Sequence, residues 1–159
     1  MSTYKTYTVE EATAKLMRYC AYQERCHKEV TQKLTEMRMT PLAQEHIITK
    51  LISDNFLNET RFAKAFARGK FRIKKWGRLR ILRELKLREV SSYNIKEALK
   101  EFTENEYLEN FHQLADQKIQ QVKHLPYLKQ KQKLMDYLVY RGYEKPLIYE
   151  KLQELDYKK

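Results

Sequence analysis

The stretch RELKLREVSSYNIKEAL aligns without a gap on DYLVYRGYEKPLIYEKL, placing Leu85 opposite Leu138, Ile95 opposite Ile148 and Leu99 opposite Leu152. A chain that repeats a helix–turn–helix pattern in this way is confined to architectures that stack like units. The first third follows the same plan. Leu34 takes the matching position, and Ile47 and Leu51 arrive three residues late, consistent with a longer turn at MRMTPLAQ. The expected organisation is three tandem three-helix repeats, over residues 1–58, 59–103 and 104–159. A unit of about 45 residues is marginal alone, so neighbouring units are expected to share cores.

Local signals place nine helices. Thr8 with Glu11 is a capping box, in which a hydroxyl and a carboxylate each satisfy a free amide of the first turn. It opens a first helix carrying Ala12, Leu16, Tyr19 and Cys20, which fades near Tyr22. A second runs from about Cys26 to Met37. Thr40-Pro41 starts a third, because proline is harmless at the first helical position. Ile47, Ile48, Leu51 and Ile52 are expected to face inward there, and the helix ends near Asp54-Asn55. Asn58 caps a fourth with Phe62, Phe66 and Ile73 as its apolar stripe, broken at Lys75-Trp76-Gly77. The fifth covers about Arg78 to Arg88 and is expected to bury Leu79, Ile81, Leu82 and Leu85. Ser91 or Ser92 caps a sixth, and a second capping box at Thr103 and Glu106 launches the seventh. Pro126 opens an eighth helix, with Leu128, Met135 and Leu138 inward, to Arg141-Gly142. The last spans about Glu144 to Leu155. Three glycines and three prolines leave little material for hairpins, so the fold class is all-α.

Charge is distributed unevenly. Residues 59–103 carry 14 Lys/Arg against 5 Asp/Glu, whereas the flanking thirds carry 8 against 7 and 10 against 9. Nearly all of the net +11 therefore lies in the middle third. Between Arg68 and Arg88 stand ten cations and one acid. A field of one sign on one face selects polyanions or acidic proteins. Arg68, Lys70, Arg72, Lys74 and Lys75 crowd the end of the fourth helix, where positive charge also suits the helix dipole. Arg80, Arg83 and Arg88 occupy the polar side of the fifth, together with Arg78 near its start. Leu87 sits among them, either as an interface anchor or packed beneath a neighbouring repeat. Trp76, the sole tryptophan, either stacks on a base or partner or wedges two helices.

Catalytic constellations are hard to find. There is no Walker loop, and three glycines do not build a phosphate cradle. His27, His46, His112 and His124 lack partners at metal or triad spacing, and read as surface or capping residues. No cofactor is expected. Cys20 and Cys26 fit a reduced cytoplasmic protein, with no bridge assigned. No signal peptide is expected, and no apolar run approaches the ~20 residues needed to span a bilayer.

The motif FLNETRFAKAF, followed after a basic segment by WGRLRILREL, resembles the RecX family of bacterial recombination regulators. AYQERCHKEVTQKL and YLVYRGYEKPLIYEKL add to the resemblance, which runs from about Glu11 to Leu155. It implies an elongated, curved array of three three-helix repeats. It also implies a non-enzymatic protein that binds the RecA filament on single-stranded DNA and restrains its recombinase and ATPase activity; a cytoplasmic monomer is the accompanying expectation. Two departures stand out: Cys26 where a serine commonly caps, and LKLREVSS without the usual glycine after the fifth helix. The competing expectation is a stand-alone, sequence-independent DNA-binding module that contacts phosphates.

Overall fold

A computed structural model describes residues 5–157, among which there are nine α-helices and no strand. They are α1 (Val9–Tyr22), α2 (His27–Glu36), α3 (Pro41–Ser53), α4 (Glu59–Arg72), α5 (Arg78–Leu87), α6 (Ser92–Ala98), α7 (Glu104–Gln121), α8 (Tyr127–Arg141) and α9 (Lys145–Tyr157), with a 3₁₀ turn at Leu99–Glu101 after α6. The N-terminal caps read from the sequence are present, except that the box expected at Thr103 and Glu106 is only half formed: Thr103 accepts the Glu106 amide without a return bond from the Glu106 carboxylate. Thr8 and Glu11 exchange both bonds of the box at 3.1 Å. Thr40, Asn58, Ser91 and Thr103 each accept one amide of their first turn. Each such cap contributes about 1 kcal/mol. Cys26 leaves the work to Glu29, whose carboxylate accepts the Cys26 N–H at 3.1 Å.

One ending recurs in α2, α5 and α8. In each, a leucine carbonyl accepts the amide five residues on: Leu34 from Met39, Leu85 from Val90 and Leu138 from Tyr143, all at 3.1 Å. This is the bonding of a Schellman turn, and it needs one left-handed residue. Gly142 supplies it in α8 at φ +99°, whereas Arg38 and Glu89 supply it in α2 and α5 at φ +60°. The missing glycine after α5 is thus replaced by a strained Glu89.

The chain forms two compact units. The first comprises the chain to Ala65 together with Leu85–Glu97, and the second comprises Phe66–Glu84 and the chain from Ala98 onward. The middle three helices contribute to both.

In the first unit α3 packs on α1 and α2. Ala12, Leu16, Cys20, Val30, Leu34, Met37, Ile47, Leu51 and Leu57 form its core. Arg61 at the start of α4 bonds Glu24 at 2.6 Å and the Asn55 carbonyl at 3.1 Å. Asn94 bonds Thr60 and Glu59. Ile52, expected inward, is exposed, because α3 presents only Ile47 and Leu51 squarely to its neighbours.

In the second unit α8 packs on α7 and α9, around a run of aromatic rings. Phe71 stacks on Phe102 at 4.1 Å, Phe102 on Tyr107 at 5.8 Å, and Tyr143 contacts Tyr107 and Phe111 at 5.3 and 5.2 Å. Such pairs add about 0.5–1.5 kcal/mol each beyond area burial. Leu128 was expected inward, yet it protrudes from the first turn of α8. Lys151 is 4% exposed, and its ammonium meets Asp116 at 2.8 Å, Glu154 at 3.1 Å and His112 Nδ1 at 3.1 Å.

Candidate functional site

The basic segment from Phe66 to Glu84 lies wholly within the second unit, and its centre is the junction between α4 and α5. After Arg72 the chain turns through a left-handed Lys75 at φ +56°. The Trp76 amide then reaches back to the Lys70 carbonyl at 3.1 Å. Carbonyls at this end of α4 have no helical partners of their own. Side chains of α7 and of the α8–α9 region satisfy them instead. Asn110 donates to the Phe71 carbonyl at 3.1 Å, Arg141 to that of Lys74, and the Tyr143 hydroxyl to that of Lys75 at 2.8 Å.

The start of α5 is held just as firmly. The amides of Gly77 and Leu79 donate to the carbonyls of Arg141 and Gly142 at 2.8 and 3.0 Å. The Arg78 amide donates to the Tyr107 hydroxyl at 3.0 Å. Free amides that open one helix are thus paired with free carbonyls that close another. The backbones approach so closely that a Cβ on Gly77 would lie 2.3 Å from the Gly142 oxygen. The Tyr107 hydroxyl in turn donates a hydrogen bond to the Glu144 carboxylate. Burial, followed by that bond to Glu144, pushes the Tyr107 hydroxyl far above the usual tyrosine range. It therefore keeps its proton and both bonds at neutral pH.

On this frame the expected site residues separate by role. Arg78 is structural, with its guanidinium between Glu104 and Glu144 and 3.8 Å above the Tyr107 ring. Arg68 pairs with Glu101, and Lys75 bonds Gln113. Trp76 is half-buried. It contacts Phe66 edge-on at 6.3 Å, with the Lys70 ammonium 4.9 Å and the Arg80 guanidinium 4.2 Å from its ring centre. Arg80 also lies 4.7 Å from the ring centre of Tyr140, which is 67% exposed. Cation and ring alternate along this row, and each contact is worth about 0.5–1 kcal/mol at an exposed site. Arg72, Lys74 and Arg83 are exposed, and their side chains have no partner among the described residues.

In the first unit, Leu87 is 59% exposed, which removes the reading that packs it beneath a neighbouring repeat. Its carbonyl accepts the Lys28 ammonium at 2.9 Å, and Arg88 is half-buried. Two apolar expectations in the second unit fail. Ile73 is 79% exposed because α4 ends one residue before it, and Leu79 is exposed in the first turn of α5.

The sequence did not flag Tyr107, Asn110, Arg141, Tyr143 or Glu144 as partners of the junction. Only the gapless repeat hinted that the α8 end and the basic helix stand in related places. What the junction offers is a fixed positive field with aromatic faces. Among the described residues no cluster of three or more His, Cys, Asp or Glu is placed to hold a metal ion. No helix among them is long and apolar enough to cross a membrane.

Among the described residues these features define an all-helical protein whose α4–α5 junction, tied down by hydrogen bonds, carries basic and aromatic side chains. Residues 58–99 match the second three-helix domain of RecX, and residues 104–152 match the third. The chain belongs to the RecX family. Proteins named Regulatory protein RecX from Bacillus cytotoxicus and Bacillus cereus are 26% and 27% identical over 147 residues, or 92% of this chain and 54% of theirs. The chain therefore spans about half the length of these curated relatives. The crystal structure of RecX from Lactobacillus salivarius superposes with a TM-score of 0.81 at 24% identity, covering 93% of this chain and 96% of that one. A second crystal structure, of regulatory protein RecX, gives 0.82 at 22% identity, covering 92% and 73%.

Proposed function

We propose that this chain is a non-enzymatic regulator that binds the RecA recombinase filament on single-stranded DNA and limits its recombinase and ATPase activity. The observation that carries the reading is the braced α4–α5 junction. Arg72, Lys74 and Arg83 are left free beside the row Lys70, Trp76, Arg80 and Tyr140. Unpaired cations suit phosphates or acidic side chains, and fixed rings suit bases or an apolar partner surface. Membership of a family whose relatives are named regulatory proteins supports the same reading. Arg68 and Arg78 serve this site by holding the frame, whereas Lys75 contributes to its field.

RecA ATPase rate and filament assembly on single-stranded DNA, with and without the chain, test the proposal. The wild type lowers both. Arg72→Ala, Lys74→Ala and Arg83→Ala together weaken the effect while preserving the fold, since removing exposed cations moves stability by under ~0.5 kcal/mol per site. A folded triple variant that restrains RecA as well as the wild type refutes the assignment of this surface. Binding to bare DNA as tight as to the filament, with no effect on RecA, favours the stand-alone DNA-binding module instead.

A further inference from the structure

The first unit holds a second basic surface that charge counting conceals. Residues 1–58 are nearly neutral by count, at 8 Lys/Arg against 7 Asp/Glu. The fold sorts those charges. Two clefts, of about 230 and 320 Å³, share Lys15 and Lys33 and so form one continuous groove over α1 and α2. Six of the eight cations line it, against a single acid, Glu36.

The other acids that could neutralise it are committed elsewhere. Glu11 closes the α1 capping box, Glu24 pairs with Arg61 and Glu29 accepts the Cys26 amide. Only a loose contact of 3.7 Å links Glu29 to Arg25. Lys28 and Lys50 point away, to the Leu87 carbonyl and to Asp54.

Aromatic rings are interleaved with these cations. Lys15 bonds the Tyr7 hydroxyl at 3.0 Å and lies 5.1 Å from that ring centre. Arg25 stacks at 3.6 Å on Tyr19, and Lys33 approaches the same ring at 5.6 Å. Tyr22, at the far end, is 83% exposed. Lys15, Arg18 and Tyr22 fall at i, i+3 and i+7, on one stripe of α1 about 10 Å long. That length matches about three phosphates at the stacked single-strand spacing of ~3.4 Å.

We propose that this groove is a second, independent site for single-stranded nucleic acid, with Lys15, Arg18 and Lys33 on phosphates and Tyr22 stacked on a base. An acidic protein fits less well. The only aliphatic side chain lining the groove is Met37, and a protein interface needs an apolar centre.

The test uses fluorescence anisotropy with a labelled thirty-residue oligo-dT and, in parallel, labelled poly-glutamate, with RecA absent throughout. Three variants are compared with the wild type: Arg18→Gln/Tyr22→Ala, Lys15→Gln/Arg18→Gln/Lys33→Gln, and the second-unit triple variant at Arg72, Lys74 and Arg83. The first alters only exposed side chains, so its melting temperature stays that of the wild type. We expect it to bind oligo-dT about fivefold or more weakly. The second variant should flatten the dependence of log K on log salt by roughly 2. Combined with the second-unit triple variant, binding falls below that of either variant alone. Unchanged oligo-dT binding in a folded Arg18→Gln/Tyr22→Ala variant overturns the proposal, as does failure of the wild type to bind oligo-dT. Equal losses for poly-glutamate overturn the nucleic-acid assignment in favour of an acidic partner. Because RecA is absent, these outcomes are independent of the RecA reading.

Discussion

Replacing Gly142 by alanine tests the junction where α5 meets the end of α8. The new Cβ lies 2.4 Å from the Arg80 Cβ and 2.6 Å from the Arg80 nitrogen. Neither atom can swing aside, because both are fixed to the α5 backbone. The residue also sits at φ +99°, which costs an L-residue about 1–2 kcal/mol. To relieve the contact, the start of α5 must withdraw. That breaks the bonds from Gly77 and Leu79 to the Arg141 and Gly142 carbonyls, at about 1 kcal/mol each. The expected loss is about 3–4 kcal/mol, or roughly 10 °C in melting temperature for a chain of this size. Gly69→Ala is the control. Nothing lies within 4 Å of its added Cβ, and removing a mid-helix glycine should stabilise by about 0.5–1 kcal/mol. Thermal melts by circular dichroism read the stability. Fluorescence of Trp76, the single tryptophan, reads the junction, because Arg80 lies over its ring. A Gly142→Ala variant that melts within about 2 °C of the wild type, with unshifted tryptophan emission, refutes the described contact.

Three further outcomes follow from particular residues. Glu89→Gly relieves the left-handed strain at φ +60° and, net of the entropy that glycine brings, should raise stability by about 0.5–1 kcal/mol in chemical denaturation. Leu87→Glu should keep its melting temperature because the side chain is exposed, yet it should lose filament binding while retaining part of its bare-DNA binding; a sharp fall in melting temperature contradicts the structure. Burial pushes the Cys26 thiol from 9.0 up to about 11, so the folded state holds the proton more tightly than the unfolded chain. The stability this confers is complete below pH 9 and is lost as pH rises from 9 to 11, by about 2–3 kcal/mol in all. Urea denaturation at pH 8 and pH 10.5 should show that loss shrinking in Cys26→Ala, and an unchanged loss refutes it.

The helices were legible because their ends are written locally. Thr8, Thr40, Asn58 and Thr103 each announce a start within four residues, and the Leu34, Leu85 and Leu138 register marks the repeated turn. Burial was legible only within helix interiors. Ile73, Leu79 and Leu128 share the apolar spacing but lie at or beyond helix ends, where no neighbouring helix covers them. The candidate site was half legible. Charge density located the α4–α5 segment, but it does not separate a cation paired with Glu104 and Glu144, such as Arg78, from a free one, such as Arg72. That distinction depends on residues dozens of positions away, as does the groove on the first unit. There the acids are removed from the face by caps and by Arg61, which a linear count does not register.

The clasp on the α4–α5 junction also sets an order of events during synthesis. Chains emerge N-terminus first, at about 5–20 residues per second, and domains generally fold as units. The amides of Gly77, Arg78 and Leu79 and the carbonyls of Lys74 and Lys75 find their partners only in Tyr107 and in Arg141, Gly142 and Tyr143. Until those residues leave the ribosome, the most basic part of the chain remains unsecured, next to ribosomal RNA of opposite charge. The last residues to arrive therefore set when the basic surface acquires its final form, and a nascent chain stalled before Arg141 would carry the charge without the shape.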